Sequence, residues 1–190
     1  AGNMEARTVY FENNGEDKNG ATLQIARQRA EEMGIKKVVI ASNTGNSAIK
    51  ALDILAGSQV IVVTHVTGFR EPNANELKEE NRQVIESKGG VILTTAHAFA
   101  GLSVATRNKH AMPGIGVIIA DTLRIFGQGL KVACEISLMA ADAGLVRTDE
   151  DIISIGGTNR GADTALVLSP VNTHNFFDLR VKEILCKPHF

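Results

Sequence analysis

Short apolar runs alternate with stretches of helical periodicity along this chain. "KKVVIAS" (Lys36–Ser42) is continuously apolar rather than alternating, the pattern of a strand covered on both sheet faces. "QVIVVTH" (Gln59–His65), "GVILTTAH" (Gly90–His97), "DIISIGG" (Asp151–Gly157) and "DTALVLSP" (Asp163–Pro170) read the same way. "TVYF" (Thr8–Phe11) adds a short first strand, and the charged "VKEILCKP" (Val181–Pro188) reads as a seventh on a sheet edge. Between them, "GATLQIARQRAEEMG" puts Leu23, Ala26, Ala30 and Met33 on one helical stripe and stops at Gly34. Thr44–Ala56, ended by Gly57, and the polar stretch Glu76–Lys88 are the next helices. Ala98–Leu145 is mostly helical, broken at Met112-Pro113-Gly114 and at Gly127-Gln128-Gly129, and "LKVACEISLMAADAG" reads as a buried helix rich in small residues. The alternation predicts a three-layer α/β sandwich with a mainly parallel sheet, one domain over residues 1–190.

Composition narrows the function classes. Hydrophobic content of 44% and charged content of 22% over 190 residues are those of an ordinary globular chain. Aromatics are 4% with no Trp, so aliphatic side chains must fill the core. A formal net charge of -1 argues against a nucleic-acid partner, which needs a basic excess to neutralise phosphates. No apolar run reaches the roughly 18 residues of a membrane span, and no signal peptide precedes the first strand. Cys134 and Cys186 form no metal-binding spacing and fit buried thiols in a reducing cytoplasm.

In open parallel sheets, ligands bind where strands end and loops lead into helices. Four such loops stand out. Ser42-Asn43-Thr44-Gly45-Asn46-Ser47 follows the second strand; Thr64-His65 and Thr67-Gly68-Phe69-Arg70 follow the third. Thr94-Thr95-Ala96-His97 closes the fourth, and Gly156-Gly157-Thr158-Asn159-Arg160-Gly161 follows the fifth. In the first loop, a helix start offers unpaired amides and the positive end of its dipole, and hydroxyls add donors, which suits a phosphate. The competing use is helix capping, for which one such residue suffices and this loop has five. The last loop is either a phosphate partner through Arg160 or an ordinary glycine-rich turn.

His65 and His97 end equivalent strands, where imidazoles serve as acid–base groups or line a cleft. No sequence neighbour completes a catalytic unit for either. Phe69, at a loop tip, either covers a flat ligand or packs inward. "GIGVIIA" at Gly114 lacks the third glycine and the preceding strand of a dinucleotide fingerprint.

The block from Val38 through "SNTGNS" to "QVIVVTH" resembles the C-terminal α/β domain of pyruvate kinase. Ser42, Thr44, Gly45 and Ser47 fall on that domain's Ser/Thr-rich loop, which in some pyruvate kinases binds the phosphate of a sugar bisphosphate effector. Asn43 and Asn46 stand where hydroxyls would be. "ISIGGTNRGADTALVL" resembles the same domain's closing strand, Gly/Arg loop and strand, matching at Gly157, Arg160 and Gly161 with slightly altered spacing. Over nearly its full length, with "GQGLKVACEISLMAADAGL" and "RGADTA", the chain is similar to a standalone archaeal and bacterial family of such domains. That resemblance implies FMN in the strand-end cleft. Pyruvate kinase chemistry belongs to a TIM barrel that these residues do not contain, so the expectation is a protein that is not a pyruvate kinase.

Three readings follow. The first is a phospholigand-binding protein, holding FMN with flavin-linked redox activity. The second is a non-catalytic sensor of a phosphorylated metabolite. The third is a phosphosugar enzyme using His65 or His97. The small-residue-rich helices permit a homo-oligomer.

Overall fold

The computed structural model describes residues 2–190. Its strands are β1 (Val9–Phe11), β2 (Lys37–Ala41), β3 (Gln59–Val63), β4 (Val91–Leu93), β5 (Ile152–Gly156), β6 (Thr164–Ser169) and β7 (Arg180–Pro188). Its α-helices are α1 (Asn19–Met33), α2 (Asn46–Ile54), α3 (Glu79–Ser87), α4 (Leu102–His110), α5 (Ile115–Arg124) and α6 (Gln128–Asp142). The strands form one sheet in the order β1-β7-β6-β5-β2-β3-β4. Every neighbouring pair is parallel except the two that β6 makes, so β6 alone runs against the rest.

The expected three-layer α/β architecture with a mainly parallel sheet is what the chain adopts. Alternate residues of each strand point to opposite faces. Val38, Ile40, Val60, Val62, Ile153 and Ile155 pack under α1, α2 and α3. Val39, Ile61, Val63, Ile152, Leu166 and Leu168 pack under α6. Burial on both faces explains why β2, β3 and β5 read as continuous apolar runs. Each fully buried Leu or Ile contributes roughly 1.5–3 kcal/mol of transfer free energy. Both cysteines are free and buried, and burial pushes the Cys134 thiol up to about 12 and Cys186 to about 11.

Three expectations are corrected. Met33 is exposed: the core stripe of α1 stops at Ala30, and burial resumes only after the helix, at Ile35. The helices expected over Thr44–Ala56 and Glu76–Lys88 are shorter, Asn46–Ile54 and Glu79–Ser87, and side chains before each take up amides at its entry. Ser42 Oγ takes the Ala48 amide, and Asn75 Oδ1 takes the Leu77 amide. Finally, β7 lies inside the sheet, between β1 and β6. Its pairing to β1 covers only Cys186–Pro188, so its charged half, Arg180–Glu183, has β6 on one side alone. The charge pattern reported that half-edge, and the short β1 covers the apolar remainder.

Candidate functional site

The strand registers decide how the four loops meet. Ala41 pairs with Val63, and Val63 with Leu93; Ile40 pairs with Ile155. The pairing runs one step further: Ser42 N–H donates to Val63 O at 3.0 Å and Thr64 N–H to Leu93 O at 3.0 Å. Ser42, Thr64 and Thr94 therefore stand in one row at strand spacing, about 4.8 Å apart, and Gly157 follows β5 at the same edge. Within the row the Thr64 hydroxyl lies 2.6 Å from that of Thr94 and donates to His65 O at 2.9 Å. By strand alternation this row points to the α1–α3 side, as Ile40 and Val62 do.

The hydroxyls of the first loop divide by burial. Ser42, Ser47 and Gly45 are buried, Asn43 is half-buried, and Thr44 and Asn46 are exposed. Ser42 Oγ accepts the Ala48 N–H at 3.3 Å, six residues on, so Ser42 takes up an amide of the first turn of α2 from three residues before its N-cap, Gly45. Gly45 has φ +96°, and a Cβ there would lie 2.7 Å from Asn81 Cβ. Glycine is thus required both by the backbone and by the approach of α3. Asn81 seals this contact, donating to Thr44 O at 2.7 Å and to Asn46 Oδ1 at 3.0 Å. Groups left facing solvent at the start of α2 are Thr44 and Asn46.

The loop after β5 is folded onto its own end and onto the start of α1. Thr158 N–H donates to Asp163 Oδ2 at 3.0 Å, and Ala162 N–H donates to Asn19 Oδ1. Gly161 has φ +84°, and a Cβ there would meet Glu16 Cα at 2.5 Å. Asn159 and Arg160 are exposed at the loop tip, and Arg160 makes no salt bridge among the described residues. Gly157 and Thr158 are half-buried beneath them.

A second group assembles on the α6 side. The His65 ring stacks on Phe69 at 3.9 Å between centroids, and His97 lies 5.5 Å from both rings. Phe69 is 48% exposed, so part of its surface is open to solvent. Gly68 bonds back across the loop, its N–H donating to Ala74 O at 2.8 Å, which holds the Phe69 turn in place. His65 Nδ1 is hydrogen-bonded to Glu76 Oε2, and Arg70 Nε donates to Glu76 Oε1 at 2.9 Å. Burial opposes ionisation of Glu76, yet the hydrogen bonds from His65 and Arg70 outweigh it and hold the carboxyl below its ordinary range.

Val66 N–H donates to His97 Nε2 at 3.1 Å, which requires that nitrogen to be unprotonated. Burial pushes His97 below the usual histidine range; Glu135 opposes this, while His65 and Lys131 add to it. Behind it, on α6, Lys131 and Glu135 form a buried ion pair. Glu135 Oε1 also accepts Phe99 N–H at 2.9 Å, which pins the segment after β4 to α6. Thr95 and His97 line a cavity of about 300 Å³ together with Met139, Asp142 and Thr173.

The fold brings near the two histidines the carboxylates that their sequence neighbours do not supply. Glu76 arrives from eleven residues beyond His65, and Glu135 from α6. The missed signal was the charged pair Lys131 and Glu135, four apart inside an otherwise apolar helix, which is rare unless the two are paired. With Nδ1 held by Glu76, His65 Nε2 is the nitrogen left to exchange a proton with a ligand. The Ser/Thr row and the imidazole pair belong to one sheet edge but to opposite faces of it.

Compared with known families, residues 20–168 match the model of the pyruvate kinase alpha/beta domain, well over half of the chain. The chain belongs to that family. The likeness expected from "SNTGNS" and "GGTNRGAD" is shown at this level. Among solved structures, the domain is similar to a pyruvate kinase from Cryptosporidium parvum at 14% identity and a TM-score of 0.41, covering 80% of this chain and 23% of that one. A Cryptosporidium parvum pyruvate kinase in complex with ADP matches at 16% identity and a TM-score of 0.38, covering 78% and 22%. This pyruvate kinase alpha/beta domain thus spans less than a quarter of the length of either enzyme. No helix among the described residues is long and apolar enough to cross a membrane.

Proposed function

We propose that this domain holds a phosphorylated small molecule at the C-terminal edge of β2, β3, β4 and β5, and that the ligand is FMN. One observation carries the reading. Adjacent parallel strands β2 and β5 lead, at the same edge of the sheet, into the start of α2 with its exposed Thr44 and Asn46 and into the loop with the exposed Arg160. A phosphate there would meet the first amides and dipole end of α2, the Thr44 hydroxyl, the Asn46 side chain and Arg160. Ser42 and Ser47 would shape this seat from beneath. The half-exposed Phe69, stacked on His65, would offer an aromatic surface for an isoalloxazine ring. These two features, at one edge of the sheet, support reading the ligand as the group implied by the family resemblance.

When bound, a flavin would supply hydride and single-electron chemistry. The chain's own contribution would be to orient the ring against Phe69 and to hold or accept a proton at His65 Nε2. The pyruvate kinase reaction itself has no place in this reading of the domain.

FMN titrated into the protein should quench its fluorescence and saturate at one equivalent. Riboflavin, which lacks the phosphate, should bind at least tenfold more weakly. Equal affinity for the two would overturn the phosphate seat, and no uptake of either would overturn the flavin. Reduction of the bound flavin by NAD(P)H would mark an enzyme, and its absence with FMN bound would mark a sensor.

A further inference from the structure

Away from the strand edge, α5 turns a second apolar face outward. Gly116 and Ala120 are buried against the protein and Leu123 packs on the core beneath. The opposite positions, Ile115, Ile118, Thr122 and Ile125, point to solvent. Ile115 is 69% exposed and Ile125 79%. Leu102, 86% exposed, and Met112 extend the surface at one end, because Ser103 packs on Gly114 and Gly116 at the start of α5. Phe126 extends it at the other.

Together these six apolar side chains present on the order of 700 Å², more than the roughly 300–600 Å² of the largest patch on an ordinary monomer. It approaches the roughly 800 Å² that each partner gives to a standard interface. The stripe also has the spacing of a helix–helix seam: positions 115, 118, 122 and 125 follow the three-then-four step of a coiled coil. Reversed about its midpoint it maps onto itself, with Ile115 opposite Ile125 and Ile118 opposite Thr122. That is the property a two-fold, self-complementary contact needs. Thr122, the polar member, donates its hydroxyl to Ile118 O at 2.8 Å, so burying it leaves no donor unpaired. On the rim, Arg124 is bonded to Asp121 of its own helix, which keeps like charges from opposing across the seam.

We infer that α5, with Leu102 and Met112, is the contact face of a homodimer in which the two copies of α5 pack antiparallel about a two-fold axis. Sedimentation equilibrium of the full chain tests it. The expected mass is twice 20.3 kDa for the unaltered protein and 20.3 kDa for Ile118→Asp and for Ile125→Asp, each with an unchanged helical circular dichroism spectrum. Tyr10→Ser, on the exposed surface of β1, should leave the doubled mass in place. A monomer that instead binds anionic vesicles would overturn the proposal, as would a dimer that survives both Asp substitutions.

Discussion

The two sides of the strand edge use polar residues in opposite ways. On the α2 side, hydroxyls are taken up by one another and by backbone at the strand ends: Ser42 accepts the Ala48 amide, and Thr64 bonds to Thr94 and to its neighbour's carbonyl. On the α6 side, groups far apart in sequence are brought together by the fold: His65 with Glu76, His97 with Val66, and Glu135 with Phe99. The first arrangement builds a frame and leaves Thr44, Asn46 and Arg160 open at its surface. The second places titratable groups and an exposed ring beside a cavity. A dense run of hydroxyls is therefore a weaker pointer to chemistry than its count suggests, since half of it serves the fold.

The largest expected effect falls on the α6 side. Lys131→Ala leaves Glu135 buried without its cation and should cost about 3–5 kcal/mol in denaturant unfolding. The double change Lys131→Met with Glu135→Leu should recover part of that loss, though not the Phe99 hydrogen bond. A cost below about 1 kcal/mol for Lys131→Ala would show that water reaches the pair, as at exposed bridges.

The next contrast separates frame from seat within one loop. Ser42→Ala should lower stability by about 1 kcal/mol through loss of its bond to the Ala48 amide and change FMN affinity little. Thr44→Val should do the reverse, weakening FMN roughly tenfold, the loss of about one hydrogen bond to a charged group, at nearly constant stability. If both variants behave alike, the division between buried and open hydroxyls has no functional meaning.

The smallest effect is a pH slope. Because His97 is held below its ordinary range when folded, the unfolded chain binds more protons there, and stability rises with pH across that interval. The contribution is complete above about pH 6.5 and is lost as pH falls toward the native value. Glu76 acts the same way at lower pH: its depressed value stabilises the fold above the ordinary carboxylate range and is lost as pH falls through the native one. His97→Asn should flatten the slope on the acid side of neutrality, read from thermal unfolding at a series of pH values. An unchanged slope would place the titration elsewhere.

Much of this was legible in the chain. Continuous apolar runs at β2, β3 and β5 announced strands buried on both faces, and the loops after them were rightly expected at one edge. What could not be read was which face each side chain takes once the strand ends, because that depends on register. Ser42 and His65 look alike in sequence as strand-end polar residues, yet one faces α2 and the other stacks on Phe69. The last loop reads as a phosphate partner or an ordinary glycine-rich turn, while Gly161 is fixed by contact with Glu16, a residue 145 positions earlier. Long-range contacts of that kind leave no local pattern.

The central claim is that the start of α2 and the Arg160 loop together seat a phosphate. FMN affinity of the unaltered protein compared with Arg160→Ala and with Thr44→Val tests it most directly, with riboflavin as the ligand lacking the phosphate. Both substitutions should weaken FMN about tenfold, near 1.4 kcal/mol each, and leave the weaker riboflavin binding where it was. FMN affinity unmoved by either substitution, or riboflavin weakened by the same factor as FMN, would contradict it.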